Sequence, residues 1–336
     1  MVTPDQLEQS KRIQRRTGRT FHIATRFLPE RTRHATYVLY AFFRMADQVV
    51  DDPDPPSQST QVAKLERMRR AALGETPTSD DVLSAFAEVR DRHGIADQEV
   101  NAFIDAMKLD AQLGDEGPRI AFEDETERER YLRGSAVAVA QMMLAVMDPP
   151  RPDLARPHAA ALGEAFQLTN FLRDIREDVE QYGRIYIPRS TLEQFDVSIS
   201  DFHHGGSERL RSAIAHDLKH AESRYRTGVA GIRMLPDGCQ YPVLLASVLY
   251  ADYHQFIRQA EYDVLSDPPS LGLSRYARVW VSTRWNWQQM RDPEFVFYRV
   301  SPISPTPLEN ESDRQNRTSL NRVARVLNHA RPRWFR

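Results

Sequence analysis

The amino-acid sequence predicts one large all-α domain. Glycine and proline are sparse, with 14 and 21 residues, and they cluster between long segments of helical periodicity. Alternating apolar and polar runs joined by Asn-Gly or Asp-Gly turns, which are typical of β-hairpins, are not seen in the sequence. No linker separates blocks of different composition before residue 300. We therefore expect residues 1–300 to form a single helical bundle.

The predicted helices succeed one another along this domain. They span residues 5–28, 31–52, 58–73, 79–93, 97–113, 125–147, 153–182, 207–234, 240–265 and 272–290. Turn-forming residues fall between them at 53–56, 114–119, 149–152 and 182–188. Gly183 has the position of a helix stop, because glycine readily adopts the left-handed conformation that ends helices. The remainder, 301–336, is rich in Pro, Ser, Asn and charge, which predicts a disordered basic tail.

Composition excludes several classes of protein. A mean hydropathy of -0.57 argues against an integral membrane protein, and the longest apolar run, 136–147, is far shorter than the roughly 20 residues of a spanning helix. The net charge of -2 disfavours a nucleic-acid partner. The single cysteine, Cys239, allows no intrachain disulfide and suits the cytoplasm. Contact of the basic tail, which ends in aromatic residues, with an anionic membrane is an alternative that we keep open.

Two aspartates occupy the only polar stripe of an otherwise apolar helix, residues 37–52. Its stripe consists of Tyr37, Tyr40, Arg44, Asp47 and Asp51. A helix that is apolar nearly all round is a buried helix. Buried carboxylates that lack a partner are costly, and Asp47 and Asp51 are neighbours at positions i and i+4. A divalent cation would remove this conflict.

A second pair of aspartates has the same spacing, in residues 161–183. Its core stripe consists of Ala161, Ala165, Leu168, Leu172, Ile175 and Val179, and the adjacent polar stripe of Gln167, Asn170, Asp174 and Asp178. Two such pairs on facing helices would form an oxygen-rich cavity suited to Mg²⁺ and substrate phosphates. A solvated helix face is the plain alternative. A di-iron bundle is another, but it needs Glu-x-x-His motifs, which these two segments lack.

With these motifs the chain resembles the squalene/phytoene synthase family of head-to-head prenyl transferases, and especially its phytoene synthase branch. The resemblance covers about residues 10–290. It is carried by Thr20-Phe21 with Leu28-Pro29, YAFFRMADQVVD, Tyr131 with Gly134, QLTNFLRDIREDV, GRIYIP at 183–188, Tyr250, and YDV at 262–264. The family is all-helical with a central apolar cavity, the isoprenoid synthase type of fold. Chain-elongating transferases and terpene cyclases share its diphosphate chemistry, but the QLTNFLRD and GRIYIP blocks favour head-to-head synthases.

The resemblance implies roles for individual residues. Asp47, Asp51, Asn170, Asp174 and Asp178 would bind Mg²⁺, with Mn²⁺ as a substitute. The residues expected to contact substrate diphosphate are Thr20, Phe21, Arg44, Asn170, Arg173 and Tyr250. Arg184 and Tyr186 would belong to a flap that closes the site, and they join the four aspartates as the expected catalytic residues. The apolar faces beside the acidic stripes offer candidates for the apolar tunnel wall, with ordinary core packing as the alternative for each of them: Phe42, Phe43, Val139, Met142, Met143, Leu168 and Leu172.

The expected reaction is the Mg²⁺-dependent condensation of two geranylgeranyl diphosphates to phytoene through a cyclopropyl diphosphate, in carotenoid biosynthesis. NADPH is not expected, and downstream carotenoid enzymes are candidate partners. A squalene synthase that uses farnesyl diphosphate and NADPH, and a non-catalytic protein of the same fold, are the alternatives. Two positions depart from the family pattern. Gln48 stands where the family usually has a second acidic residue, and Asp52 is a candidate to provide that negative charge instead. Asp267 stands where a basic residue is expected, and Arg275 or Arg278 is a candidate to take its role.

Overall fold

Helical periodicity in the sequence becomes a nearly continuous series of helices in the structure. The computed structural model describes residues 2–17, 19–52, 54, 56–113, 118–202 and 206–306, without the side chains of residues 17, 19 and 20. The α-helices within these residues are α1 Pro4–Thr17, α2 Arg19–Thr25, α3 Glu30–Val50, α4 Gln58–Ala72, α5 Asp81–His93, α6 Asp97–Leu113, α7 Glu125–Leu132, α8 Val139–Met147, α9 Pro152–Arg173, α10 Ile175–Tyr182, α11 Arg189–Gln194, α12 Glu208–Val229, α13 Asp237–Ala251, α14 Tyr253–Gln259, α15 Leu273–Met290 and α16 Pro293–Val300. The predicted all-α fold is confirmed.

Short irregular elements complete the fold. A π-helical turn, Arg133–Ala138, joins α7 to α8, and two 3₁₀ turns cover Ile199–Phe202 and Ile232–Met234. Two strands that the sequence did not predict, β1 Arg119–Ile120 and β2 Arg184–Ile185, pair in parallel. One compact unit ends at Ile303. Of the predicted disordered tail, residues 307–336 lie outside the described residues.

Helix α3 is buried along most of its length, as its apolar faces predict. Leu39, Ala41 and Phe42 are fully buried, and the Phe42 ring stacks on Phe86 with 3.9 Å between the ring centroids. Phe42 also packs against Phe103 of α6. The polar stripe lies between the buried apolar faces, and its residues Tyr40, Arg44, Asp47 and Asp51 line an internal cavity.

Helices α9 and α12 come unusually close together, which fixes the position of the second aspartate motif. A Cβ atom added to Gly228 of α12 would lie 2.7 Å from the Leu162 nitrogen of α9. The Gly163 Cβ would similarly lie 2.8 Å from the carbonyl oxygen of Ala136. These glycines allow the backbones to approach closely, because any larger side chain would force the helices apart.

Several predicted helices are interrupted where the periodicity is continuous. The segment 153–182 breaks at Asp174, which has φ -102° and ψ 9° between α9 and α10. Gly183 then ends α10 in the left-handed conformation, at φ 62°, as predicted. The predicted helix 240–265 is divided in the same way into α13 and α14. Among the described residues, no helix combines the length and the apolar character needed to cross a membrane.

Candidate active site

A cavity of about 570 Å³ lies between α3, α6, α8, α9 and α13. This volume is within the usual range of small-molecule sites. Its polar lining residues include Tyr40, Arg44, Asp47, Asp51, Asp110, Asn170, Arg173, Asp174, Asp178, Tyr182, Arg184 and Tyr186. Apolar residues make most of the remaining wall, among them Leu28, Met107, Val139, Met143, Met147, Leu162, Ile232, Leu235 and Val243.

The structure gathers the predicted site residues around this one cavity. Phe21, Tyr250, both aspartate pairs and the other predicted polar residues all line it. Thr20 lies on α2, but its side chain falls outside the description of the structure. The two DxxxD motifs line the cavity from different helices, with Asp51 immediately after the last residue of α3 and Asp174 at the break between α9 and α10.

Arg184 joins the first aspartate motif to the segment that follows the second. Its Nη1 donates to Asp51 Oδ1 at 2.9 Å and its Nη2 to the Val50 carbonyl oxygen at 2.7 Å. The side chain is only 5% exposed. Strand pairing holds the backbone beside it, because the Arg119 amide donates to the Gly183 carbonyl at 2.9 Å. The segment expected to form a flap is therefore packed against the site in this structure.

Two further arginines flank the carboxylates. Arg173 donates two hydrogen bonds to its neighbour Asp174, from Nε at 2.6 Å and from Nη2 at 2.5 Å. Arg44 Nη1 lies 3.6 Å from Asp47 Oδ2, and Arg44 Nε is buried without a hydrogen-bond partner among the described residues. Guanidinium groups thus stand beside carboxylates of both motifs, where they can also bind phosphate oxygens.

Burial perturbs two of the four aspartates strongly. Burial, and then the charge of Asp51, raise the pKa of Asp47 to about 7, although its side chain keeps 36% exposure toward the cavity. Burial, and then the charge of Asp174, raise the pKa of Asp178 well above its usual range. In each motif, burial and the charge of the neighbouring aspartate therefore disfavour the ionised form of one carboxyl group.

The donor atoms of the two motifs fit a hard divalent cation. Asn170 Oδ1 is buried and lacks a hydrogen-bond partner among the described residues, and it faces the same cavity as the aspartates. Carboxylate and amide oxygens are the ligands that Mg²⁺ prefers. Within the described ranges no three His, Cys, Asp or Glu side chains are grouped closely enough to hold one metal ion. A cation here would need oxygens from substrate or water as well, which is usual for Mg²⁺.

Aromatic rings border the second motif. Tyr250 lies 4.7 Å from Phe21 and 4.9 Å from Phe166, measured between ring centroids. The Arg173 guanidinium carbon lies 5.0 Å from the centroid of the Tyr253 ring and 5.9 Å from that of Tyr250. Because aromatic faces attract cations, these contacts hold Arg173 at the cavity wall.

The comparison with known proteins agrees with this geometry. A family model described as squalene/phytoene synthase matches residues 14–279. The chain belongs to the squalene/phytoene synthase family. It is 30% identical over 270 residues to a 15-cis-phytoene synthase of Synechococcus elongatus, covering 76% of this chain and 85% of the relative. It is also 30% identical to a phytoene synthase of Cereibacter sphaeroides, with 78% and 75% covered.

Solved structures of the squalene/phytoene synthase type share the fold. A dehydrosqualene synthase in complex with a ligand superposes with a TM-score of 0.74 at 24% identity, and covers 85% of this chain and 97% of its own. A squalene synthase from Alicyclobacillus acidocaldarius has a TM-score of 0.66 at 23% identity, with 77% and 95% covered. At these identities the likeness establishes the fold of the catalytic region.

One buried acid of the site was missed by the sequence analysis. Asp110 of α6 accepts hydrogen bonds from the Tyr131 hydroxyl at 2.8 Å and from the Tyr186 hydroxyl at 3.1 Å. Its burial raises its pKa to about 6. A signal was available, because Phe103, Met107 and Asp110 share one face of α6 and the first two are buried. An acid on a buried stripe needs a partner, and two tyrosines supply it.

The predicted tunnel wall needs correction. Phe43, Val139 and Met143 line the cavity as expected. The other four candidates are fully or almost fully buried and are not among the lining residues: Phe42, Met142, Leu168 and Leu172. These four side chains belong to helices that also line the cavity, but they point into the core. A helix that is apolar nearly all round has more apolar side chains than can face one cavity.

The departures from the family pattern also have structural outcomes. Gln48 is exposed and Asp52 is exposed, and neither lines the cavity, so Asp52 does not supply the missing acid there. Arg275 forms a two-pronged ion pair with the buried Asp252, at 2.7 Å and 2.6 Å. Neither Arg275 nor Arg278 is among the cavity-lining residues of the described chain. The arginines of the described residues that do reach the cavity are Arg44, Arg173 and Arg184.

Proposed function

We propose that this protein is a phytoene synthase, which condenses two molecules of geranylgeranyl diphosphate head to head in carotenoid biosynthesis. The carrying observation is a polar region with two aspartate motifs and three arginines that opens into an apolar cavity. Such a site suits a substrate with a charged diphosphate and a long hydrocarbon chain. The choice of phytoene over squalene is supported by the relatives at about 30% identity that are named phytoene synthases.

The polar region would bind the two diphosphates. Arg44, Arg173 and Arg184 offer guanidinium donors that match phosphate oxygens. Mg²⁺, or Mn²⁺ in its place, would be held by Asp47, Asp51, Asn170, Asp174 and Asp178, and when bound would stabilise the charge of the departing diphosphates. Phe21 and Tyr250 would pack beside the diphosphate-bearing end of a substrate, and we keep Thr20 as a further contact.

The apolar part of the cavity would protect the carbocations of the reaction. Departure of the first diphosphate leaves an allylic cation, which the double bond of the second substrate attacks to give a cyclopropyl diphosphate. Loss of the second diphosphate, rearrangement, and loss of one proton then give the forty-carbon product. No hydride is needed in this sequence, so NADPH is not required. Water must be excluded at every stage, and side chains such as Val139, Met143 and Leu162 would do so.

Asp110 would orient the two tyrosines that face the cavity beside Arg184. Because Tyr131 and Tyr186 both donate their protons to Asp110, the remaining lone pairs of the phenol oxygens are fixed in direction. Phenol oxygens with fixed lone pairs would stabilise a cationic intermediate electrostatically, and the tyrosine side chains would not have to reorient during the reaction. Tyr186 also stacks on Phe171 at 4.2 Å, which limits its rotation.

Product analysis tests the proposed function. The purified protein is incubated separately with geranylgeranyl diphosphate and with farnesyl diphosphate, each with Mg²⁺ and with or without NADPH. We expect phytoene from the first substrate, at a yield that NADPH does not change, and no product after chelation of the metal. Asp178→Asn serves as the inactive control. NADPH-dependent squalene from farnesyl diphosphate alone would identify a squalene synthase, and no hydrocarbon from either substrate would favour a non-catalytic protein.

The proposed function also implies a cellular setting. The only cysteine, Cys239, is buried and unpaired, which suits a reducing cytoplasm. Phytoene is insoluble in water, so it must pass to a membrane or directly to a downstream carotenoid enzyme. We propose that the enzyme works at a membrane surface.

A further inference from the structure

Helix α15 carries a row of apolar side chains on its outer surface. Leu273 is 84% exposed, Val281 56% and Trp285 64%. These residues, with Ala277, are spaced four positions apart and therefore lie along one side of the helix. On the opposite side, Val279, Thr283 and Trp287 are buried in the core. The outer row is thus not needed to hold the helix in place.

The composition of α15 is equally unusual. Its 18 residues, LSRYARVWVSTRWNWQQM, include three arginines and no acidic side chain, in a protein whose net charge is -2. They also include three of the four tryptophans of the chain. Tryptophan and arginine together are typical of surfaces that rest at the lipid–water interface, where the ring sits at the headgroups and the guanidinium binds phosphate.

The apolar row continues onto the turn that follows α2. The Phe27 ring, 40% exposed, stacks on Trp280 of α15 with 6.5 Å between centroids, and Trp280 is 38% exposed. We call Phe27, Leu273, Trp280, Val281 and Trp285 the docking face. Scattered apolar residues are normal on a protein surface, but this group is contiguous and has arginines beside it.

The Phe27 end of the docking face adjoins residues that precede the cavity wall in the chain. Phe27 is followed by Leu28, which lines the cavity. Phe27 also packs against Tyr241 at 5.4 Å, and Tyr241 is followed by the cavity-lining Pro242. The turn after α2 and the start of α13 therefore each contribute residues both to the cavity wall and to the packing of Phe27.

We propose that the docking face binds an anionic lipid membrane, with its tryptophans at the headgroups and Arg278 and Arg284 toward lipid phosphates. The further idea that product leaves the cavity on this side rests on the proposed function, whereas the binding itself does not. Two other occupants fit less well. A second copy placed symmetrically would bring two arginine-bearing helices together, and their positive charges would repel. The tail, residues 307–336, contains seven arginines against three acidic residues, so its net positive charge would also be repelled by α15.

Vesicle sedimentation tests the membrane proposal with the full chain and without substrate. The vesicles are phosphatidylcholine alone, or phosphatidylcholine with about one third phosphatidylglycerol. We expect the protein to bind the anionic vesicles. The double variant Val281→Ser/Trp285→Ala should bind them at least about tenfold more weakly, because two apolar side chains no longer enter the lipid. Arg278→Gln should weaken binding about fivefold, and only on anionic vesicles.

Two control variants separate the docking face from the basic tail and from apolar residues elsewhere on the surface. Leu109→Ala removes an apolar side chain of 47% exposure from α6 and should bind as the parent does. Trp334→Ala/Phe335→Ala tests the basic tail. Circular dichroism and product formation in detergent should be unchanged in the α15 variants, so a loss of vesicle binding cannot be mistaken for misfolding or for a wrong substrate assignment.

Three results would overturn the proposal. The α15 variants could bind anionic vesicles as tightly as the parent. The tail variant alone could abolish binding, which would assign the membrane contact to the tail. Light scattering without lipid could show a dimer that Val281→Ser/Trp285→Ala converts to a monomer, which would assign the face to a second copy of the chain.

Discussion

Replacement of Asp110 by asparagine should make the protein more stable and less active. Asp110 is 4% exposed, and its carboxylate accepts hydrogen bonds from Tyr131 and Tyr186. Asparagine has nearly the same shape but carries no charge, so the cost of burying an ion disappears. Its amide can accept from only one of the two tyrosines through its oxygen, so the other phenol loses its acceptor. Turnover should fall for that reason.

The size of the stability gain follows from the pKa of Asp110. The pKa is raised from 3.8 to about 6 by burial, against the favourable charge of Arg184 and the two tyrosine hydrogen bonds. Each pKa unit is worth about 1.4 kcal/mol, so the ionised carboxylate costs the folded state about 3 kcal/mol. Since the folded pKa is the higher one, this cost is complete above about pH 6 and fades as the pH falls toward 3.8.

Urea unfolding of parent and variant without metal, between pH 5 and pH 8, measures this effect. At pH 8 the free energy of unfolding of Asp110→Asn should exceed that of the parent by up to about 3 kcal/mol, and at pH 5, which lies between the unfolded and folded pKa values, by about half as much. Asp105→Asn, on the same helix with its side chain 68% exposed, is the matched control and should change stability by less than about 0.5 kcal/mol. A variant that is less stable than the parent at pH 8 would refute the reasoning.

Three further outcomes are expected. Asp178→Asn should lower turnover at least about a hundredfold, because even residues that hydrogen-bond to metal ligands contribute about 10–100-fold to activity or metal affinity. The urea midpoint measured without metal should not fall. Near-normal turnover would contradict the assignment of Asp178 as a metal ligand. Arg184→Ala should lower kcat and increase the fraction of substrate released as prenyl alcohol, which product analysis measures; an unchanged alcohol fraction would count against a water-excluding role. Gly228→Ala should lower the free energy of unfolding by about 1–3 kcal/mol, because its Cβ would lie 2.7 Å from the Leu162 nitrogen. Gly272→Ala has no atom within 4 Å of its Cβ and should lower it by less than about 1 kcal/mol, the cost of alanine in place of glycine at the N-cap of α15.

Most of the fold was predictable because helix periodicity is local information. A helical wheel at 100° per residue correctly places the buried faces of α3. It also places the core stripe that runs through α9 and α10. The same wheel assumes an unbroken helix, and so it could not place the break at Asp174 or the end of α3 before Asp51. Both deviations concern the aspartate motifs, where Arg184 bonds to Asp51 and Arg173 bonds to Asp174.

Partners that are distant in the sequence were the least predictable part of the site. Asp110 bonds to tyrosines that are 21 and 76 positions away, and Arg184 bonds to an aspartate 133 positions away. No periodicity connects such residues. The family resemblance supplied Arg184 and Tyr186 but not Asp110, because a single acid on an apolar stripe has no motif around it.

The π-helical turn Arg133–Ala138 determines in which direction the side chains of α8 point around the helix axis. A wider turn accommodates an extra residue without breaking the helix, so α8 begins with a different angular offset from the one an uninterrupted α-helix would give it. Deletion of one residue from this turn would rotate α8 by about 100°, since each residue advances a helix by that angle. Val139 and Met143 would then swing away from the cavity, and their neighbours would take their places. The shape of the apolar chamber thus depends on a count of residues as much as on their identity.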